Sequence, residues 1–86
     1  MRFLVTVEVT ALDSIADPEG QTIERALPLL GFSGIGRVRV GKLFRLEIEA
    51  DDAADAERRS LELCDHLLAN PVIEQAEVHV TEQTTQ

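Results

Sequence analysis

Asp17-Pro18-Glu19-Gly20-Gln21-Thr22-Ile23-Glu24-Arg25-Ala26-Leu27-Pro28-Leu29-Leu30-Gly31-Phe32-Ser33-Gly34-Ile35-Gly36-Arg37-Val38-Arg39-Val40-Gly41-Lys42 is the stretch on which the reading of the fold turns. Asp17 has the carboxylate of a good N-cap, and Pro18 suits the first helical position, where its missing donor costs nothing. Ile23, Ala26, Leu27 and Leu30 recur at i, i+3, i+4 and i+7, so the helix carries one apolar stripe, and Gly31 supplies its stop. Pro28 removes the bond to Glu24 within that helix, which predicts a bent last turn. Val38 and Val40 then alternate with Arg37 and Arg39 as in a strand, and Gly41-Lys42 reads as a type II′ hairpin turn into a run in which Phe44, Leu46 and Ile48 oppose Arg45, Glu47 and Glu49.

Outward from this segment the patterns are clear. Met1 to Thr10 alternates Phe3, Val5, Val7 and Val9 against Leu4, Thr6, Glu8 and Thr10, a strand with one buried face. Ala11 to Ala16 has no usable period and reads as a loop. Asp51 and Asp52 can cap a second helix running to Leu68, with Leu61, Cys64 and Leu68 on one face, and Pro71 stops it at Asn70. Val72 to Thr81 gives a fourth strand through Ala76, Val78 and Val80, and residues 82–86 form a polar tail after a single domain spanning 1–81.

The order read from the chain is β-α-β-β-α-β. It predicts an α+β two-layer sandwich, an antiparallel sheet with both helices on one face. Arginines of the second strand and glutamates of the third would pair on the wet face. Leu4, Thr6 and Leu43 leave part of that face apolar, which predicts a covering subunit.

Composition narrows the function. Eighty-six residues make one small domain, for which help from a partner chain is expected. A formal charge of -8, from 16 acidic against 8 basic residues, disfavours nucleic acid and anionic membranes as partners. One cysteine makes no internal disulfide, and the N-terminal sequence has no long apolar run, so a cytoplasmic protein is expected.

No catalytic signature emerges. Cys64 lies on an apolar helical face with no lysine or second cysteine close by, the setting of an inert buried thiol. His66 and His79 are not at metal-ligand spacing with each other or with Cys64, and no metal or cofactor site is read in this chain. Gly31, Gly34 and Gly36 follow a helix and precede a strand, the reverse of a phosphate-binding loop. The runs hardest to explain by packing are Arg37 to Lys42 and Ala69 to Glu74, turns and charges suited to docking.

Four motifs, Asp17-Pro18-x-Gly20, Leu30-Gly31-Phe32, Val38-Arg39-x-Gly41-Lys42 and Cys64-x-x-Leu67-Leu68-Ala69-Asn70-Pro71-Val72-Ile73-Glu74, stand in order over most of the chain. Together they resemble the PurS family, the small subunit of phosphoribosylformylglycinamidine (FGAM) synthase of de novo purine synthesis. The resemblance implies a dimer or tetramer that joins a glutaminase (PurQ-like) subunit to an ATP-dependent synthase (PurL-like) subunit. Ammonia would pass between those partners, and ATP and Mg would sit on the synthase. This chain would be a non-catalytic subunit of a C–N ligase, with Arg39, Gly41, Lys42, Asn70 and Pro71 as partner-binding residues. The chain departs from the family pattern at Ala11 to Ala16, at Ala76 and at Pro28. Two other classes stand beside this reading: a small-molecule-sensing α+β dimer, supported by the Gly31 to Gly36 turn, and a small acylphosphatase-like hydrolase, for which Ala11 to Ala16 offers no phosphate loop.

Overall fold

The first strand organises the sheet and its core. The structure, a computed structural model, describes residues 1–82, in the order β1 (Arg2–Ala11), α1 (Pro18–Leu29), β2 (Gly41–Glu49), α2 (Ala53–Leu63), a π-helical turn (Cys64–Leu68) and β3 (Glu74–Glu82). β1 is the central strand of a three-stranded sheet, order β2-β1-β3, antiparallel to both neighbours. Phe3, Val5, Val7 and Val9 are all essentially buried, as their alternation predicts. They are flanked in register by Ile48, Leu46 and Phe44 of β2 and by Val80, Val78 and Ala76 of β3.

α2 closes this face. Asp52 caps it by accepting from the Asp55 N–H, Ala56 packs on Phe3, and Cys64 joins the valine row. Ser60 is buried with them, its hydroxyl donating to the Ala56 carbonyl at 2.7 Å, so no polar atom is stranded there. The last helical turn widens to π geometry, and the chain is extended at Ala69, ahead of Pro71. The helix thus ends at Leu68, two residues before Asn70, the position that a proline at 71 pushes out of helical geometry.

The α+β class holds, with three corrections in detail. The order is β-α-β-α-β, because residues 35–40 form no strand and Gly41-Lys42 opens β2 instead of turning a hairpin. Arg37 adopts a left-handed φ of 56°, which interrupts an extended run, and the Val38 and Val40 N–H groups donate to side-chain carboxylates rather than to a ladder. The glutamates intended for that strand's arginines pair with β1 instead: Arg2 reaches Glu47 at 2.9 Å and Glu49 at 3.6 Å.

Second, only α2 packs on the sheet. Among the described residues no side chain of α1 enters either apolar cluster. α1 stands off with its return segment as an arm, and the chain measures 50 × 34 × 15 Å. α1 itself forms as its sequence predicts, with Asp17 as N-cap and Gly31 at a φ of 91° past its end. Pro28 stays inside it, and the last turn tightens as the Leu30 N–H is shared between the Ala26 and Leu27 carbonyls.

Third, β3 runs through Thr81 and Glu82, so Glu82 belongs to the sheet rather than to a tail; residues 83–86 of that expected tail lie outside the described residues. The outer sheet face is also less apolar than expected. Leu4 pairs with Glu47 and Leu43 with Glu8, which separates the two leucines by about 13 Å of strand.

Two substitutions test this architecture. A Cβ on Gly41 would lie 2.5 Å from the Val9 carbonyl oxygen, whereas one on Gly36 meets nothing within 4 Å. Gly41→Ala is therefore expected to destabilise the fold by about 1–3 kcal/mol in urea unfolding, with Gly36→Ala within about 0.5 kcal/mol of the parent. Equal effects would contradict the β1–β2 register.

Candidate partner-binding surface

One end of the sheet collects the residues singled out in the sequence. β1 leaves at Ala11, β2 enters at Gly41 opposite Thr10, and β3 enters at Glu74 opposite Ala11. Arg39, Gly41, Lys42, Asn70 and Pro71 thus lie at or beside the same end. The loop after β1 ties them, since the Leu12 N–H donates to the Ile73 carbonyl at 2.9 Å and the Leu12 carbonyl accepts from Arg39 at 3.3 Å.

The roles within this group differ. Arg39 is a clip: its guanidinium donates to the Ala11 carbonyl at 2.6 Å and to Asp13 Oδ1 at 3.4 Å, and its Nε lies 3.7 Å from Asp17 Oδ2. Asp17 uses both oxygens. Oδ1 accepts the Gly20 N–H at 3.0 Å as helix cap, and Oδ2 accepts the Val40 N–H at 2.9 Å. Glu24, two turns along α1 from Asp17, accepts the Val38 N–H at 2.9 Å. Gly20 lets the strands of this knot touch, because a Cβ there would meet the Val38 oxygen at 2.5 Å.

Asn70 builds a turn of its own. Its side-chain oxygen accepts the Val72 N–H at 3.1 Å, its carbonyl accepts the Glu74 N–H at 2.7 Å, and its N–H donates to Glu74 Oε1 at 2.8 Å. Pro71 sits in that turn, exposed. Gly41 is a packing requirement.

Of the predicted set, that leaves Pro71 in its turn and Lys42, which stands near Arg37 in the chain. Arg37 and Lys42 are the cations of this group outside the knot. Both are exposed, and among the described residues neither makes an ion pair. Arg37 lines an open groove of about 460 Å³ with Asp17, Gln21, Glu24 and Arg39. Its left-handed backbone, which alternation had hidden, turns it away from the strand pattern.

The sheet also assembles what spacing could not show. Glu8 and Glu77 are direct cross-strand partners, and with His79 they bring ligand atoms within 4.8 Å of one another on the exposed outer face. These are the described residues that could approach a cation together. Cys64 is buried, and burial, then the neighbouring Asp65, pushes its thiol pKa up, which suits an inert side chain. Nothing in the group pairs a nucleophile with a base.

A knot of side-chain-to-backbone bonds, two exposed cations and an arm with exposed apolar residues make up this end of the molecule. Comparison with known proteins identifies the family. A family model described as PurS, phosphoribosylformylglycinamidine (FGAM) synthase, matches residues 4–82. The PurS subunit of Archaeoglobus fulgidus is 44% identical over 71 residues, covering 83% of this chain and 89% of that one. The Bacillus subtilis PurS subunit is 36% identical over 84 residues, covering 98% and 99%. Among solved structures, PurLQS from Thermotoga maritima contains a chain that superposes with a TM-score of 0.85 at 33% identity, over 94% of this chain and 99% of that one. Methanocaldococcus jannaschii PurS gives 0.84 at 33%, over 95% and 99%. The chain belongs to the PurS family: it is a PurS-type subunit of FGAM synthase, a ligase of purine biosynthesis.

The knot sets a pH dependence. The Val40 N–H, then the Gly20 N–H, with Arg39 adding its charge, hold the Asp17 carboxyl below the usual carboxylate range. A depressed carboxylate stabilises the fold fully above its unfolded pKa of about 3.9, and that stability is lost as pH falls below it. Thermal unfolding between pH 7 and pH 3 should therefore show a steeper loss of Tm for the parent than for Asp17→Asn, the two curves converging at the acid end. Parallel curves would remove Asp17 from this role.

Proposed function

We propose that this chain is the assembly subunit that seats a glutaminase (PurQ-like) chain beside an ATP-dependent synthase (PurL-like) chain, so that ammonia released on one reaches the other. The observation that carries the reading is the gathering of Arg39, Gly41, Lys42, Asn70 and Pro71, with Arg37 beside them, at one sheet end that carries no acid–base pair. The Thermotoga maritima relative, solved as PurLQS, supports it. In this reading Lys42 and Arg37 supply the exposed charge, and Pro71 and the Asn70 turn supply a rigid edge. Arg39 and Gly41 act from behind by fixing where those residues stand. Substrate, ATP and Mg belong to the partner chains, and nothing in this subunit enters the bond-forming step.

The subunit acts as a homo-oligomer, a dimer or a tetramer, in the cytoplasm. No helix among the described residues is long and apolar enough to cross a membrane, which fits that setting. The sensing-module alternative rested on the Gly31 to Gly36 turn; Cβ positions at Gly31, Gly34 and Gly36 all face open space, so that turn forms no cradle.

The test is binding to the purified synthase subunit, measured with glutamine and ADP present. Arg37→Glu combined with Lys42→Glu is expected to weaken binding by about tenfold or more, roughly 1.4 kcal/mol per factor of ten, with Tm unchanged. Arg39→Glu is less suitable because it opens the knot. Undiminished binding by the double variant would reject this surface, and failure of the parent chain to bind either partner would reject the bridging role.

A further inference from the structure

The outer face of the sheet brings an imidazole and two carboxylates to one spot. Glu8 of β1 and Glu77 of β3 are direct cross-strand partners, and His79 stands two residues along β3 on the same face, opposite Thr6. One ligand atom from each of the three lies within 4.8 Å of the other two, and His79 Nε2 is 3.7 Å from Glu77 Oε1. All three residues are exposed. Like charges directly opposite one another weaken a sheet. Among the described residues no lysine or arginine pairs with either carboxylate. The other cross-strand partner of Glu8 is the apolar Leu43, and Arg45, opposite Thr6, stands one step away along the same face.

The spacing suits a small ion. Ligand bonds of about 2.1 Å at the tetrahedral angle put neighbouring donor atoms about 3.4 Å apart. Atoms already within 4.8 Å reach that separation by side-chain rotation, with the backbone left in place. The backbone is firm here, since β1 is the central strand, paired on both sides, and Val7 and Val9 on its reverse face are buried. Sites carried on strands keep their geometry better than sites on loops. The donor set selects the ion: one imidazole with two carboxylates suits a borderline divalent cation such as zinc, whereas calcium and magnesium favour oxygen ligands throughout. Three protein donors leave a fourth tetrahedral position to water.

We propose that Glu8, Glu77 and His79 form a site for a zinc-class divalent cation that ties β1 to β3 on the face opposite α2. The bound ion turns a repulsive cross-strand pair into a shared ligand set. It stabilises the sheet because only the folded chain holds the three donors together. The site is independent of the bridging role, since none of its residues belongs to the Arg37 to Lys42 or Asn70 to Glu74 segments.

The experiment titrates zinc chloride into the purified chain by calorimetry, with magnesium chloride as the control ion. One zinc per chain is expected, with no comparable magnesium binding. His79→Ala and Glu8→Gln should each weaken zinc binding by about tenfold or more, since losing a ligand costs no less than losing the outer-shell partner of one. His66→Ala, which removes the other imidazole of the chain, should bind zinc as the parent does. Thermal unfolding gives a second reading. Without zinc, Glu8→Gln should melt no lower than the parent, because it relieves the repulsion; with zinc the parent should melt higher than the variant. Zinc binding that survives His79→Ala, or that is lost equally in His66→Ala, would overturn the site. So would a parent that binds no zinc, or one that binds magnesium as tightly, the mark of an acidic chain attracting cations in general.

Discussion

The carboxylate of Asp17 is the constraint on which the rest depends. One oxygen starts α1 by taking the Gly20 N–H, and the other receives the Val40 N–H from the far end of the excursion. Hydrogen bonds to an ionised acceptor are about twice as strong as neutral ones, so a single side chain fixes both feet of a 22-residue loop between residues 18 and 39. Arg39 then anchors that foot to the last carbonyls of β1. Glu24 repeats the device two turns further along. The result is an arm whose direction is set by side-chain acceptors, without apolar contact to the sheet below it.

The sheet is the complementary half of the design. A central strand with four buried side chains, Phe3, Val5, Val7 and Val9, is paired on both sides and roofed by one helix through Ala56, Ser60 and Cys64. Small residues at Ala56 and Ser60 let α2 lie close to the strands, which makes the core tight but thin. An inventory of this size gives a domain of 86 residues only modest stability. The inner face of β2 is the less covered part of that core, with Phe44, Leu46 and Ile48 only half-buried.

Period alone made β1, α1, α2 and β3 legible, because each has one apolar face and a clear stop, from Asp17-Pro18 at one boundary to Asn70-Pro71 at another. The same alternation misled at residues 35–40. Val38 and Val40 between arginines have the period of a strand, but period does not say which acceptor a backbone N–H will find. Here the acceptors are Glu24 and Asp17, 14 and 23 residues back, which no local pattern announces. The two-helix roof failed for a related reason: an apolar stripe does not say which surface a helix packs on, and α1 stands clear of its own sheet. The site residues were legible as a set, since turns and charges out of keeping with packing drew attention to both runs. Their division of labour was not. Arg39, Gly41 and Asn70 are committed to their own backbone, and the free cation beside Lys42 is Arg37, which reads in sequence as one more member of the alternation.

That misleading segment also explains why the arm and the docking edge belong together. Had residues 35–40 paired as a strand, Arg37 and Arg39 would lie on the wet face of a four-stranded sheet, opposite Glu47 and Glu49, and their charge would be spent within the domain. Diverting the Val38 and Val40 N–H groups to carboxylates lifts the segment out of the ladder, leaves Glu47 and Glu49 to Arg2, and leaves Arg37 at the surface with no ion pair among the described residues. A protein with twice as many acidic as basic residues keeps a local positive edge only if some arginines are withheld from internal ion pairs. The Asp17 and Glu24 bonds achieve this while holding α1 clear of its own sheet, so one small set of carboxylates fixes both the exposed cationic edge and the direction of the arm.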